Sequence, residues 1–253
     1  MSQPEQTLPL AGRRALVTGA SRGVGADTAR LLAGLGAKVA VNYRAKKPRA
    51  DKVVADIAAA GGEAVAISAD LTDAEAVRAM LGTVTDAWGG IDVLVLNASG
   101  GMEGDRGPDY ALRLNRDAQL GILRAAVPTM PAGSRVVFVT SHQAHFIRVA
   151  KTMPEYDAVA RSKRAGEDAL RAELPDLAAR GIGFVVVSGD MIEGTITAKL
   201  LERINPGAIE SRRKAAGRLY NVAEFAAEVV AAVTEPVPPD NIRLVGDTSG
   251  FAS

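Results

Sequence analysis

Cysteine is absent from the 253 residues, which excludes disulfides, thiolate nucleophiles and cysteine-ligated metals. Histidine is nearly absent as well. His142 and His145 are the only two, with no third histidine or carboxylate at a suitable spacing, so no metal site is expected. The chain has no strong excess of either charge: 30 basic against 29 acidic side chains leave a net +1. That balance gives no reason to expect nucleic acid or an acidic membrane as partner. Apolar runs are short, residues 184–187 being typical, against the ~20 residues that a membrane helix needs. Residues 1–12 show no basic start followed by an apolar stretch, so the expectation is a cytoplasmic protein without a secretory leader.

What is present is ordinary for a globular domain: 47% apolar and 23% charged residues. Short apolar runs at 15–18, 38–42, 64–68, 93–96, 136–140, 184–188 and 242–245 predict strands. They are nearly continuous rather than alternating, as in a parallel sheet covered on both faces. Helical spacing falls between them, at 26–35, 48–60, 73–88, 109–130, 154–174 and 222–233. The alternation predicts one α/β domain over 1–253, a Rossmann-type doubly wound sheet of about seven mostly parallel strands, with ligands beyond the carboxyl ends of the strands. Residues 193–220, with glycines, Pro206 and the basic run Arg212, Arg213 and Lys214, interrupt the pattern. They read either as a substrate lid or as a surface excursion or subunit contact.

The first strand runs into Thr18-Gly19-Ala20-Ser21-Arg22-Gly23-Val24-Gly25 and then a helix. Glycines at 19, 23 and 25 permit a tight turn and close backbone approach, and the free N–H groups that open the helix favour an anion such as a pyrophosphate. The spacing differs from the usual Gly-x-Gly-x-x-Gly. This Thr-Gly-x-x-x-Gly-x-Gly form resembles the short-chain dehydrogenase/reductase family. Further positions extend the resemblance along essentially the whole chain. Asp70-Leu71 resembles the pair that contacts adenine in that family, although Asp70 also reads as a helix cap. Asn97-Ala98-Ser99 stands where the family has Asn-Ala-Gly, with Leu96 in place of the preceding Asn. Gly189 follows Ser188 where Pro-Gly is usual, and Thr195 comes two positions late.

The resemblance also bears on the cofactor. An NAD enzyme places a carboxylate after the second strand, whereas a 2′-phosphate calls for positive charge. Here the sequence is Tyr43-Arg44, followed by Lys46 and Lys47, with no acid. Tyr43 stands where NAD-preferring members carry Asp, and Arg22 matches a position that is often basic in NADP-preferring ones. Arg44, Lys46 and Lys47 read as a 2′-phosphate site or as a solvated loop, and the expectation taken is NADP(H) over NAD(H).

For catalysis the resemblance implies a serine that orients the carbonyl, a tyrosine that gives the proton, a lysine four residues later and an asparagine on the preceding long helix. Ser141 ends the fifth strand, Lys163 follows Ser162, and Leu114-Asn115 matches the asparagine helix. The tyrosine is missing: four residues before Lys163 stands Val159. Tyr156 lies seven residues before Lys163. On a helix that step returns to within ~20° of the same face but ~10.5 Å along the axis, against ~6 Å for the usual pair. Thr152-x-x-Glu155 reads as a capping box with Pro154 at the first helical position. Tyr156 therefore reads as a displaced donor or as a packing residue. His142 and His145, within five residues of Ser141, are the other candidate donors, or structural hydrogen-bonders.

Two functions follow. One is an NADP(H)-dependent reductase of a ketone or aldehyde, or the reverse dehydrogenase, with a non-standard proton donor. The other is an NADP(H)-binding relative without ordinary redox turnover, motivated by Val159, Leu96, Ser99 and Ser188. Association as a homodimer or homotetramer through the two long helices is what the resemblance implies.

Overall fold

The computed structural model describes residues 8–102, 107 and 109–251; the reading of residues 1–7 falls outside them. Strand β1 (Arg14–Val17) feeds through the glycine turn into α1 (Gly23–Gly34), followed by β2 (Lys38–Tyr43), α2 (Lys47–Ala59), β3 (Glu63–Ser68), α3 (Ala74–Trp88) and β4 (Val93–Leu96). The next helix is continuous but changes pitch. It runs as α4 (Tyr110–Leu112), a π segment (Arg113–Ala118), α5 (Gln119–Ala126) and a closing 3₁₀ turn (Val127–Thr129). Then come β5 (Arg135–Ser141), the single turn α6 (His142–His145), a 3₁₀ turn (Pro154–Tyr156), α7 (Asp157–Arg171), α8 (Leu174–Ala179) and β6 (Gly183–Gly189). Two short helices, α9 (Ile196–Ile204) and α10 (Ala208–Ala216), precede α11 (Val222–Thr234) and β7 (Ile242–Val245).

All seven strands are parallel in the order β3-β2-β1-β4-β5-β6-β7. The side-chain period of two divides them between two apolar layers. Ala15, Val17, Val39, Val41, Val95, Val137 and Val185 face α1, α2 and α11. Leu16, Ala40, Leu94, Leu96, Phe138 and Val186 face α3, α5 and the end of α7. Burial on both faces is why these strands read as continuous apolar runs. The chain winds outward from β1 in one direction and from β4 in the other. The crevice where the winding reverses lies at the carboxyl ends of those two strands.

The stretch 193–220, which interrupts the alternation, holds two helices. Two local expectations change. The helix expected over 154–174 stops at Arg171 and resumes as α8. Thr152 caps nothing: its hydroxyl donates to Asp157 Oδ1 at 2.9 Å, and Tyr156 occupies a 3₁₀ turn that leads into α7.

A smaller apolar cluster lies over the sheet ends. Ala144, Tyr156, Val159 and Ala160 pack there with Met191 and with Ala198, Leu201, Ala216 and Leu219 of the 193–220 stretch. No described helix is long and apolar enough to cross a membrane.

Candidate active site

The ends of β1 and β4 are tied together by the buried Thr18. Its hydroxyl donates to the Val95 carbonyl at 3.1 Å and accepts from the amides of Asn97 at 2.9 Å and Ala98 at 3.1 Å. Asn97 Nδ2 returns to the Thr18 carbonyl at 2.9 Å. Asn42, at the end of β2, accepts from Gly19 N at 3.1 Å and donates to the Ala69 carbonyl at 3.3 Å. The glycine turn is thus held from both neighbouring strands. Gly19 and Gly23 have φ of 62° and 59°, the left-handed region that a side chain disfavours. At Gly25 the reason is space: a Cβ there would lie 2.5 Å from Asn97 Nδ2 and 2.9 Å from the Gly19 carbonyl oxygen. Arg22, the N-cap of α1, offers no side-chain cap, so the first-turn N–H groups stay available to an anion.

A cleft of about 700 Å³ opens along these strand ends. At one end its wall includes Ser21, Arg22, Val24, Tyr43, Arg44, Lys46, Arg49, Asp70 and Leu71. Towards the other it includes Ser99, Ser141, Gln143, Tyr156, Lys163 and Gly189. Arg22, Arg44, Lys46 and Arg49 are exposed there. Arg44 bonds the Tyr110 hydroxyl and stands over that ring at 5.9 Å. Lys47, expected with them, pairs instead with Asp51 at 2.8 Å and is not part of the wall. Arg49, one turn along the exposed face of α2, had as its only sequence signal the basic spacing after Lys46. Asp70 does not cap the following helix. Asp73 does, accepting from Glu75 N and Ala76 N, while Asp70 accepts from Thr72 N and Thr72 Oγ1 at 3.0 and 2.7 Å.

At the other end Ser141 closes β5 and caps α6, accepting from Ala144 N at 3.3 Å. Its Oγ lies 3.3 Å from the Tyr156 hydroxyl. Tyr156 is 5% exposed, and burial raises its pKa, offset in part by the Ser141 contact. The phenol is therefore protonated throughout the neutral range. Lys163 is buried, and desolvation lowers its pKa to about 8. No hydrogen bond or ion pair joins its ammonium to another described residue, so a polar ligand in the cleft would supply the contacts the fold does not.

Val159 lies inside the apolar cluster, 4% exposed, and is not part of the cleft wall. Asn115 is also withdrawn. Its amide donates to the Gly100 carbonyl at 2.8 Å and to Ser162 Oγ at 2.9 Å, and its Oδ1 accepts from Gly100 N at 3.2 Å. It braces the cleft from behind rather than facing it.

Of the two alternatives for each histidine, the structure shows the structural hydrogen-bonder and not a donor facing the cleft. His142 is fully buried, with Nδ1 2.8 Å from Ser188 Oγ and Nε2 3.1 Å from the Val245 carbonyl. A carbonyl only accepts, so Nε2 carries the proton and Nδ1 accepts from Ser188. Burial holds the pKa down at about 4, which leaves the ring neutral and committed to β6 and β7. His145 points at Glu167, with Nδ1 2.9 Å from both carboxylate oxygens. Burial alone would raise the Glu167 pKa, but His145, Arg164 and Arg171 outweigh it and hold the group ionised. Neither ring is part of the cleft wall. Among the described residues no group of three or more metal-binding side chains occurs.

Comparison with known proteins matches this geometry to a family. The model for short chain dehydrogenases matches residues 13–205. The chain belongs to the short-chain dehydrogenase family. It is accordingly an oxidoreductase. Hydroxynaphthalene reductase arp2 of Aspergillus fumigatus is 32% identical over 212 residues, 81% of this chain and 75% of that protein. Versicolorin reductase 1 of Aspergillus parasiticus is 37% identical over 162 residues, 62% of this chain and 60% of its own. Among solved structures, a short chain dehydrogenase from Burkholderia cenocepacia in complex with NADP aligns with a TM-score of 0.78 at 30% identity, covering 97% of this chain and 100% of its own. The angucycline C-6 ketoreductase LanV with bound NADP aligns at 0.75 and 27%, over 90% of each chain.

Proposed function

We propose that this short-chain dehydrogenase reduces a ketone or aldehyde with NADPH, or oxidises the alcohol in reverse, and that Tyr156 supplies the proton that Val159 cannot. The observation that carries the reading is the 3.3 Å approach of the Tyr156 hydroxyl to Ser141 Oγ in a cleft that Lys163 also lines. Two hydroxyls that meet at one point form a donor pair for a single carbonyl oxygen.

NADPH, when bound, supplies hydride to the carbonyl carbon. Ser141 donates to the carbonyl oxygen and orients it. Tyr156, kept protonated by burial, gives its proton as negative charge develops there. Lys163, which lines the same cleft, would hold the ribose, and its positive charge there would lower the cost of the phenolate. Asn115 acts as a positioning residue, through Gly100 and Ser162. The glycine turn Gly19 to Gly25, with Ser21 and Val24, receives the pyrophosphate at the N-terminus of α1. Asp70 and Leu71 would hold the adenine, and Asn97, Ala98, Ser99 and Gly189 the nicotinamide side. The cleft suits such a molecule in size, and the glycine cradle is space that a Cβ would fill.

Arg22, Arg44, Lys46 and Arg49, beside Tyr43, would hold a 2′-phosphate, which favours NADPH over NADH. NADP in the Burkholderia cenocepacia dehydrogenase and in LanV is consistent with this. Residues 193–220 act as the lid, seated on Tyr156 and Val159. The catalytic unit is one domain, associating as a homodimer or homotetramer.

Following NADPH absorbance across a panel of ketones and aldehydes tests the reading. Turnover is expected, with kcat/KM for NADPH exceeding that for NADH by a margin that Arg44→Ala combined with Arg49→Ala cuts by ~10-fold or more. Tight NADPH binding with no carbonyl turned over would instead favour the cofactor-binding relative. Sedimentation showing only monomer at micromolar concentration would remove the oligomer.

A further inference from the structure

Gln143 is a residue for which the donor pair and the cofactor site leave no role. It sits two positions after Ser141 in the turn α6, is half-buried, and is part of the cleft wall on the side of Ser141 and Tyr156. Its amide orientation follows from its partner. Gln143 Oε1 accepts from the Met153 amide at 2.8 Å, and an N–H can be accepted only by the oxygen end. The turn that carries Tyr156 is therefore tethered to the turn that carries Ser141, since Tyr156 N in turn donates to the Met153 carbonyl at 2.9 Å. The other end of the amide, Nε2, makes no hydrogen bond to any described residue. It leaves two N–H donors on a side chain that lines the same cleft as the hydroxyl pair. Met191, Ile192, Ile196 and Leu201 supply apolar wall elsewhere in the cleft.

Resting on the reductase reading, we infer that Gln143 Nε2 is a second recognition point and that the preferred substrates are apolar ketones bearing a second oxygen acceptor close to the reacting carbonyl, as in β-diketones and β-hydroxyketones. The tether fixes the donor at no further cost in side-chain entropy on binding, so the amide is pre-organised for an acceptor. A monoketone leaves it without that partner. Site donors left unmatched are a stronger source of discrimination than added apolar contact.

Gln143→Glu separates the two ends of the amide. A carboxylate still accepts from Met153 N but has no proton to give a substrate oxygen. Benzoylacetone and butyrophenone share the aryl ketone and differ in the second carbonyl. Their binding to the NADP⁺-loaded protein, measured by calorimetry, reads recognition without turnover. Wild type is expected to bind benzoylacetone ~10-fold more tightly than butyrophenone, and Gln143→Glu to erase that ratio. Gln143→Leu, which loses both ends, should erase it too and also slow NADPH oxidation through a loosened Tyr156 turn. Equal affinities in wild type, or a ratio untouched by Gln143→Glu, would overturn the assignment and leave the reductase reading standing. A ratio that behaves as expected in a protein that oxidises NADPH with no carbonyl would keep Gln143 as a recognition residue and overturn the reductase reading instead.

Discussion

Val159 and Tyr156 pack in the same apolar cluster, but only the Tyr156 hydroxyl meets Ser141 Oγ. Val159 occupies the place four residues before Lys163, yet it packs with Met191, Ala198 and Leu201. Its Cγ2 would lie 3.3 Å from a Cβ added at Gly101. Val159→Tyr should therefore overpack this seat. A loss of ~1–3 kcal/mol, read from denaturant midpoints, is expected, with no gain in turnover. Spacing alone left Tyr156 one turn too far along a regular helix. The chain places Tyr156 in a 3₁₀ turn ahead of α7, where its hydroxyl meets Ser141 Oγ at 3.3 Å. That turn is held by Gln143 and Met153, neither of which carries a local signal for it. Lys163 makes a second residue-scale prediction. Its pKa of about 8 lies below the ~10.4 of an unfolded lysine, so between those values the unfolded chain holds a proton that the folded chain has released. Stability of the ligand-free protein should therefore rise from pH 8 to pH 10, and fall as pH drops back through about 8. Lys163→Met should flatten the rise in urea midpoints, and equal slopes in the two proteins would contradict the assignment.

Elements were legible where one rule governs a long segment. The five inner strands β2, β1, β4, β5 and β6 are buried on both faces, the edge strands β3 and β7 only in part, and the apolar runs located all seven. The glycine turn announced itself because backbone conformation at Gly19 and Gly23, and space at Gly25, admit no other residue easily. Legibility failed where partners distant in sequence decide. The change of pitch at Arg113–Ala118 is one case, and the pairing of Arg212 with Asp190 at 2.8 Å, which fastens α10 to the end of β6, is another. The π segment meets α7 at Gly166, where an added Cβ would fall 2.0 Å from the Asn115 carbonyl oxygen. Gly166→Ala must push these helices apart. The expected cost is ~1–3 kcal/mol or more, with a lower Tm, and kcat/KM should fall because Asn115 braces Gly100 and Ser162. Unchanged stability would show that the helices are free to separate there.

At the scale of the whole molecule, a doubly wound sheet delivers chemistry to one edge. The glycine turn comes from the end of β1, the cationic rim from β2 and α2, the paired hydroxyls of Ser141 and Tyr156 from β5 and the turn before α7, and the cover proposed as a lid from the segment after β6. Family membership rests on the match over residues 13–205 and on relatives that cover most of the chain. The histidines show the limit of reading function from sequence neighbourhood. Both follow Ser141 within four residues, yet the turn α6 directs them away, one into the β6–β7 edge and the other towards Glu167. With them withdrawn, the proposed proton transfer depends on Tyr156. The most direct test compares wild type and Tyr156→Phe in NADPH-dependent reduction of a ketone that the wild type accepts, as kcat/KM against pH, with NADPH affinity measured separately. The expected result is a ~10²–10⁴-fold loss of kcat/KM with NADPH binding retained. A Tyr156→Phe enzyme that keeps the wild-type rate and pH profile would contradict the account and place the proton source elsewhere.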